Sequence, residues 1–193
     1  SERSRGLGDV YKRQAFNTPE MVELQFAVAM AGGVLNTINT RLDADTIAVI
    51  IAHAEPAIIV VDAELTAQLE LALTQTHCSE KELIVIPCLE HEAGRYHFAK
   101  EILYDDFLES GDPDDSWSLP ESEWEAYGLN YTSGTGGTPK GVVIHHRGAY
   151  LMAMGTVPAW GVPQHPVYLY TVPMFHCNGW GHAWLNALVA GSI

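Results

Sequence analysis

Apolar residues recur at helical spacing from Thr18 onward, with Met21, Val22, Phe26 and Ala29 on one predicted face. Thr18 is placed to cap this helix, and Pro19 suits the first helical position, where a missing N–H costs nothing. Gly32 and Gly33 predict its end. Residues 34–38 (VLNTI) then read as a strand. A second helix follows, capped by Asp43 or Asp45, with Ile47, Ile50, Ile51 and Ala54 along one side and Pro56 closing it. Residues 57–61 (AIIVV) and 83–86 (LIVI) are apolar at every position, as strands covered on both faces are, and residues 64–75 form a helix between them. Strands separated by helices of this length predict an α/β fold. Its sheet is mostly parallel and flanked by helices, and ligands bind at the carboxyl ends of the strands.

Further along, residues 127–131 (YGLNY) read as a strand, residues 142–144 (VVI) as the returning strand of a hairpin, and His145, His146 and Arg147 as the opening of a helix through Met154. Residues 167–172 (VYLYTV) carry the β-branched and aromatic composition of another strand. No internal repeat is present. Residues 101–125 differ from all of these: they hold ten of the 24 acidic side chains and no Lys or Arg, with Gly111, Pro113 and Pro120 among them. They read as a solvated excursion. Asp112, Asp114 and Asp115 invite a calcium loop, but a loop starting at Asp112 needs Gly where Trp117 stands, so surface loop is the better reading.

A hydrophobic content of 47% with 18% charged residues predicts a packed core. The formal net charge of −14 repels polyanions, and no basic cluster offsets it, which argues against nucleic acid as a partner. Cys78, Cys88 and Cys177 are an odd set with no metal-ligand spacing, which suits a reducing compartment, and a cytoplasmic location is expected. No apolar run reaches the ~18 residues of a membrane span. The opening residues 1–14 are polar and basic, unlike a secretion signal, and residues 9–14 (DVYKRQ) resemble the translation of a sequencing-library adapter. On that ground residues 1–14 are set aside from the fold, leaving 15–193 as a partial domain.

The chemistry concentrates in residues 132–141, TSGTGGTPKG. Glycines let backbone N–H groups turn toward phosphate oxygens, Ser and Thr add hydroxyl donors, and Lys140 supplies a compact positive charge. A plain Gly-rich turn has a similar composition. A Walker loop does not fit, because Pro139 precedes the lysine and Gly141, rather than a hydroxyl residue, follows it.

From Tyr131 to Gly141 the string resembles the phosphate-loop signature of the adenylate-forming superfamily, [YF]TSG[ST][TS]GxPKG, departing from it at Gly136, where that family has a hydroxyl residue. Residues 141–155 (GVVIHHRGAYLMAMG) resemble a subgroup of acyl-CoA synthetases for short- and medium-chain acids, including 3-methylmercaptopropionate, and residues 32–62 resemble the amino-terminal region of the same enzymes. The resemblance implies part of the large amino-terminal domain of an AMP-forming acyl-CoA synthetase, without the later nucleotide motifs and the small domain that carries the catalytic lysine.

The resemblance further implies that ATP phosphates are bound by Thr132, Ser133, Gly134, Thr135, Gly136, Gly137, Thr138, Pro139 and Lys140, with Thr132 also toward Mg2+. Residues 173–180 (PMFHCNGW) match the acyl pocket, where His176 lies near the carboxylate and adenylate and Trp180 matches an aromatic gate. Read without the family, His176 beside Cys177 is a poor nucleophilic pair, since adjacent side chains rarely face one another. A Met and aromatic cluster that is merely core is the lesser reading. The activity implied is conversion of a small carboxylic acid, with ATP and coenzyme A, to an acyl adenylate and then an acyl-CoA. An amino-acid adenylation domain and a truncated, inactive nucleotide-binding module are the alternatives, and a homodimer is left open.

Overall fold

The computed structural model of the chain describes residues 10–14, 16–76, 82–86, 101–117, 119–132 and 138–193. Its strands are Val10–Gln14 (β1), Val34–Thr37 (β2), Ile58–Asp62 (β3), Glu82–Ile86 (β4), Glu101–Leu103 (β5), Ala126–Thr132 (β6) and Lys140–His145 (β7). They form one sheet in the order β5-β4-β3-β1-β2-β6-β7. Every neighbouring pair is parallel except the hairpin β6–β7, as the alternation of strands and helices predicts.

Six α-helices accompany the sheet among the described residues: Pro19–Met30 (α1), Ala44–Ala54 (α2), Thr66–Leu73 (α3), Tyr104–Glu109 (α4), His146–Trp160 (α5) and Cys177–Leu188 (α6). Successive strand residues point to opposite faces, and the core divides accordingly. Ile59 and Val61 meet Ile47, Ile51, Leu69 and Leu73 of α2 and α3. Val60, Leu35 and Ile84 meet Leu24 and Val28 of α1, Ala149 of α5 and Trp180 of α6 on the other face. Each large side chain withdrawn from water contributes about 1.5–3 kcal/mol, so these two layers fix the sheet between its helices.

Local signals explain the helix ends. Asp43, rather than Asp45, caps α2: its carboxylate accepts from the Thr46 N–H at 2.7 Å, and those hydrogen bonds hold its pKa below the ordinary carboxylate value. His145 caps α5, its Nδ1 accepting from the Gly148 N–H at 2.9 Å, at the helix opening that the sequence predicts. Thr18 stands at the N-cap of α1 without a side-chain cap bond. That helix buries Met21, Leu24, Gln25 and Val28, so the predicted face with Val22, Phe26 and Ala29 is rotated.

Two further expectations are corrected, and a third segment takes a place in the sheet. Residues 101–125 are not all excursion: β5 sits at the sheet edge, and Tyr104 of α4 is buried and donates its hydroxyl to Glu23 at 2.9 Å. The apolar residues Ile102, Leu103 and Tyr104 outweigh the acidic average there, while residues 110–117 are exposed as expected. Residues 167–172 form no strand. They make one isolated bridge, Val167 to Ser192, and Val167 and Leu169 are 89% and 81% exposed, because strand propensity is realised only where a sheet edge receives it. Finally, Val10–Gln14, set aside from the fold on sequence grounds, lies between β3 and β2 in the middle of the sheet. Ladder hydrogen bonds are made by the main chain, which any residue but proline supplies in full, so this stretch is able to take the strand position.

Candidate active site

The seam between β2 and β6 opens at its carboxyl end. Main-chain pairing is recorded at Leu35 and Gly128, and beyond that point side chains take over. Asn36 donates its carboxamide N–H to the Leu129 carbonyl, and Thr37 lies 2.9 Å from the side chain of Asn130. A cavity of about 470 Å3 lies where the strands separate, lined by Thr37, Asn130, Tyr131, Thr132, Pro139 and His176, with Ile38, Leu42 and Ile50 among its apolar walls. An apolar concavity with a few convergent polar groups at parallel strand ends is the expected form of a small-molecule site.

The turn that carries His176 is held from two sides. Asn17, just ahead of α1, donates to the Val172 carbonyl at 2.9 Å and accepts from the Met174 N–H at 2.8 Å. Thr37 lies 2.9 Å from the Phe175 carbonyl. The Gly179 and Trp180 N–H groups then bond to the His176 carbonyl at 2.8 and 3.2 Å, which starts α6 against the turn. Gly179 is required there, since a Cβ on it would lie 2.4 Å from the Pro173 carbonyl oxygen.

Across the cavity, Thr132 ends β6 and pairs in register with Lys140, the first residue of β7. Both are exposed, and Pro139 beside Lys140 lines the cavity. Tyr131 bonds through its hydroxyl to His53 Nδ1 at 2.6 Å, tying β6 to α2 next to Thr132, and burial pushes its phenol up to about 12. Ser133, Gly134, Thr135, Gly136 and Gly137 lie outside the described residues, and Thr138 is exposed at their far end.

Thr132, Pro139 and His176 therefore meet at one cavity, and Lys140 stands opposite Thr132. Trp180, expected as an aromatic gate at the acyl side, does not line this cavity: it is 1% exposed, in the core with Tyr127 and Trp184. Its ring needs the space over Gly128, and burial of the indole decides its place. Among the described residues no cluster of three or more His, Cys, Asp or Glu could hold a metal, and Asp112, Asp114 and Asp115 are exposed. The Thr132 hydroxyl is an oxygen of the kind a magnesium ion takes.

A model of the AMP-binding enzyme family matches residues 8–193. The chain belongs to that family. It is similar to acetate–CoA ligase CCL3 of Humulus lupulus, with 41% identity over 201 residues that cover 100% of this chain and 35% of that protein. It is also similar to the peroxisomal butyrate–CoA ligase AAE11 of Arabidopsis thaliana, with 45% identity over 190 residues that cover 95% of this chain and 33% of that protein. The chain thus spans about a third of the curated relatives it matches. Among solved structures, a long-chain-fatty-acid–CoA ligase from Archaeoglobus fulgidus superposes with a TM-score of 0.78 at 21% identity, over 97% of this chain and 34% of that one. ATP-bound MatB from Rhodopseudomonas palustris gives 0.76 at 21% identity, over 96% and 34%. At that identity these two show the family's fold.

Asn17, Thr37, Asn130 and His53 were not singled out in the sequence. One signal was available for two of them: Asn36 and Thr37 interrupt an otherwise apolar strand, as Asn130 does in YGLNY, and buried polar groups in a strand need partners.

Proposed function

We propose that the full-length protein activates a short- or medium-chain carboxylic acid with ATP and transfers it to coenzyme A, with AMP and pyrophosphate released. The observation that carries this reading is the placement of Thr132 and His176 on one cavity, with Lys140 paired opposite Thr132. A carboxylate oxygen is a poor leaving group at neutral pH, and adenylation replaces it with a good one. As the acid attacks the α-phosphate, charge builds on phosphate oxygens. The main-chain amides of residues 133–137, the hydroxyls of Thr132, Ser133, Thr135 and Thr138 and the ammonium of Lys140 are the donors assigned to it. A magnesium ion, when bound, screens the same charge, with Thr132 as its oxygen from this chain. His176 and the apolar walls face the acid. The described lining holds no Asp or Glu to pair with an amine, which supports a simple acid over an amino acid.

The later nucleotide motifs, the lid and its lysine belong to the remainder of the protein in this proposal, and the part described here is the first half of the large domain. Among the described residues no helix is long and apolar enough to cross a membrane. A cytoplasmic location is retained as part of the proposal, with the peroxisome, named for AAE11, as the competing result for a tagged protein. Homodimerisation is read by light scattering. The decisive experiment is a pyrophosphate-release assay of the full-length protein with ATP, Mg2+ and acids from acetate to octanoate, with acyl-CoA detected by mass. Release that requires a fatty acid sustains the proposal; release with amino acids alone, or none with any acid, removes it.

A further inference from the structure

Thr37 Oγ1 stands 2.9 Å from the carboxamide of Asn130 and 2.9 Å from the carbonyl oxygen of Phe175. A hydroxyl carries one proton, so it cannot donate to two acceptors at once. The two ends of a carboxamide are isosteric, and both contacts are satisfied when the Asn130 NH2 faces Thr37. Asn130 then donates to Thr37 Oγ1, and Thr37 donates to the Phe175 carbonyl. Both side chains are buried, at 8% and 4% exposure, and the far end of the Asn130 carboxamide has no protein partner. In such surroundings each bond of a relay polarises the next.

We infer that Thr37 and Asn130 are positioning residues for the acid subsite, their relay fixing the Phe175 carbonyl and so the place of His176 on the cavity wall. This inference rests on the acyl-activating reading above. It follows from where the relay ends. Residues 173–176 have no strand or helix to hold them, and Asn17 and Thr37 anchor the turn from its two sides. Releasing the Thr37 side frees the residue next to His176 while leaving the Thr132–Lys140 hairpin paired. Loss of orientation then falls on the acid and spares ATP.

The test uses the full-length protein and separates the two substrates. Thr37→Val keeps the shape and strand preference of the side chain and removes the hydroxyl. It should raise the KM for the acid by about threefold to tenfold, the effect of one hydrogen bond, with the ATP KM changed by less than about twofold. Thr37→Ser should restore the acid KM. Asn130→Ala should give the same split, and the double variant should be no worse than the poorer single one, because both changes break one relay. Equal rises in both KM values, additive effects, or no recovery with serine would overturn the positioning role. A wild-type protein without acid-dependent pyrophosphate release strikes the ligase reading itself, whereas an active Thr37→Val protein with an unchanged acid KM strikes this inference alone.

Discussion

Gly128 of β6 lies directly against the indole of Trp180: a Cβ on Gly128 would stand 2.1 Å from Trp180 Cζ3. Trp180 in turn meets Tyr127 at 5.9 Å and Trp184 at 5.9 Å between ring centroids, both edge-on. The glycine is thus the floor of an aromatic cluster that joins α6 to the sheet. Gly128→Ala forces the ring or the strand to move, and overpacking of this kind costs about 1–3 kcal/mol. A lowered Tm in the full-length protein is the expected result, and an unchanged one would show that α6 is not seated as described.

The phenol of Tyr131, partly withdrawn from water, gives an alkaline signature. Burial raises the Tyr131 pKa from 10.0 to about 12 in the folded chain. A raised folded pKa contributes stability that is fully present below the unfolded value and is lost as pH rises from there through the folded value. Denaturation measured across that window should therefore show a shallower loss of stability in Tyr131→Phe than in the wild type, and identical slopes would refute the assignment.

Gly136 stands where the resembled signature has a hydroxyl residue. A hydrogen bond to a charged group is worth about 1.5–3 kcal/mol, or roughly tenfold to a hundredfold in rate. Gly136→Thr in the full-length protein should raise ATP-dependent turnover by up to that factor. Steady-state kinetics with saturating acid checks it, and unchanged kinetics would mean that the hydroxyl contributes nothing here.

Strand β1, read VYKRQ, lies in the middle of a mostly parallel sheet, a position whose sequence is normally apolar throughout. The adapter origin of residues 1–14 remains our proposal, and sequencing this stretch from unamplified genomic template tests it: a different, apolar strand there supports it, and VYKRQ removes it.

Much of this was legible in the chain because it depends on local, periodic or motif-borne information. AIIVV and LIVI are apolar at every position, the pattern expected of strands covered on both faces, and they are β3 and β4 nearly as read. Asp43 and Pro56 bracket α2, since caps act within one turn. The string from Tyr131 to Gly141 pointed to the cavity that Tyr131, Thr132 and Pro139 line because a motif is carried by neighbouring residues.

Other features depended on partners far along the chain. Residues 167–172 have strand composition but make only one isolated bridge, and the place of Trp180 is set by the space over Gly128, far from it in the chain. Asn17 and Thr37 become site residues only because folding brings them to residues 172–175, more than a hundred positions away. The sequence by itself determined the α/β alternation, the cap of α2 and the Gly-rich string that follows β6, all set by neighbours within a few residues. Only the tertiary structure decided the strand order, the opening between β2 and β6 and the tethering of the His176 turn, because hydrogen bonds and close packing between distant residues exist only once the chain has folded.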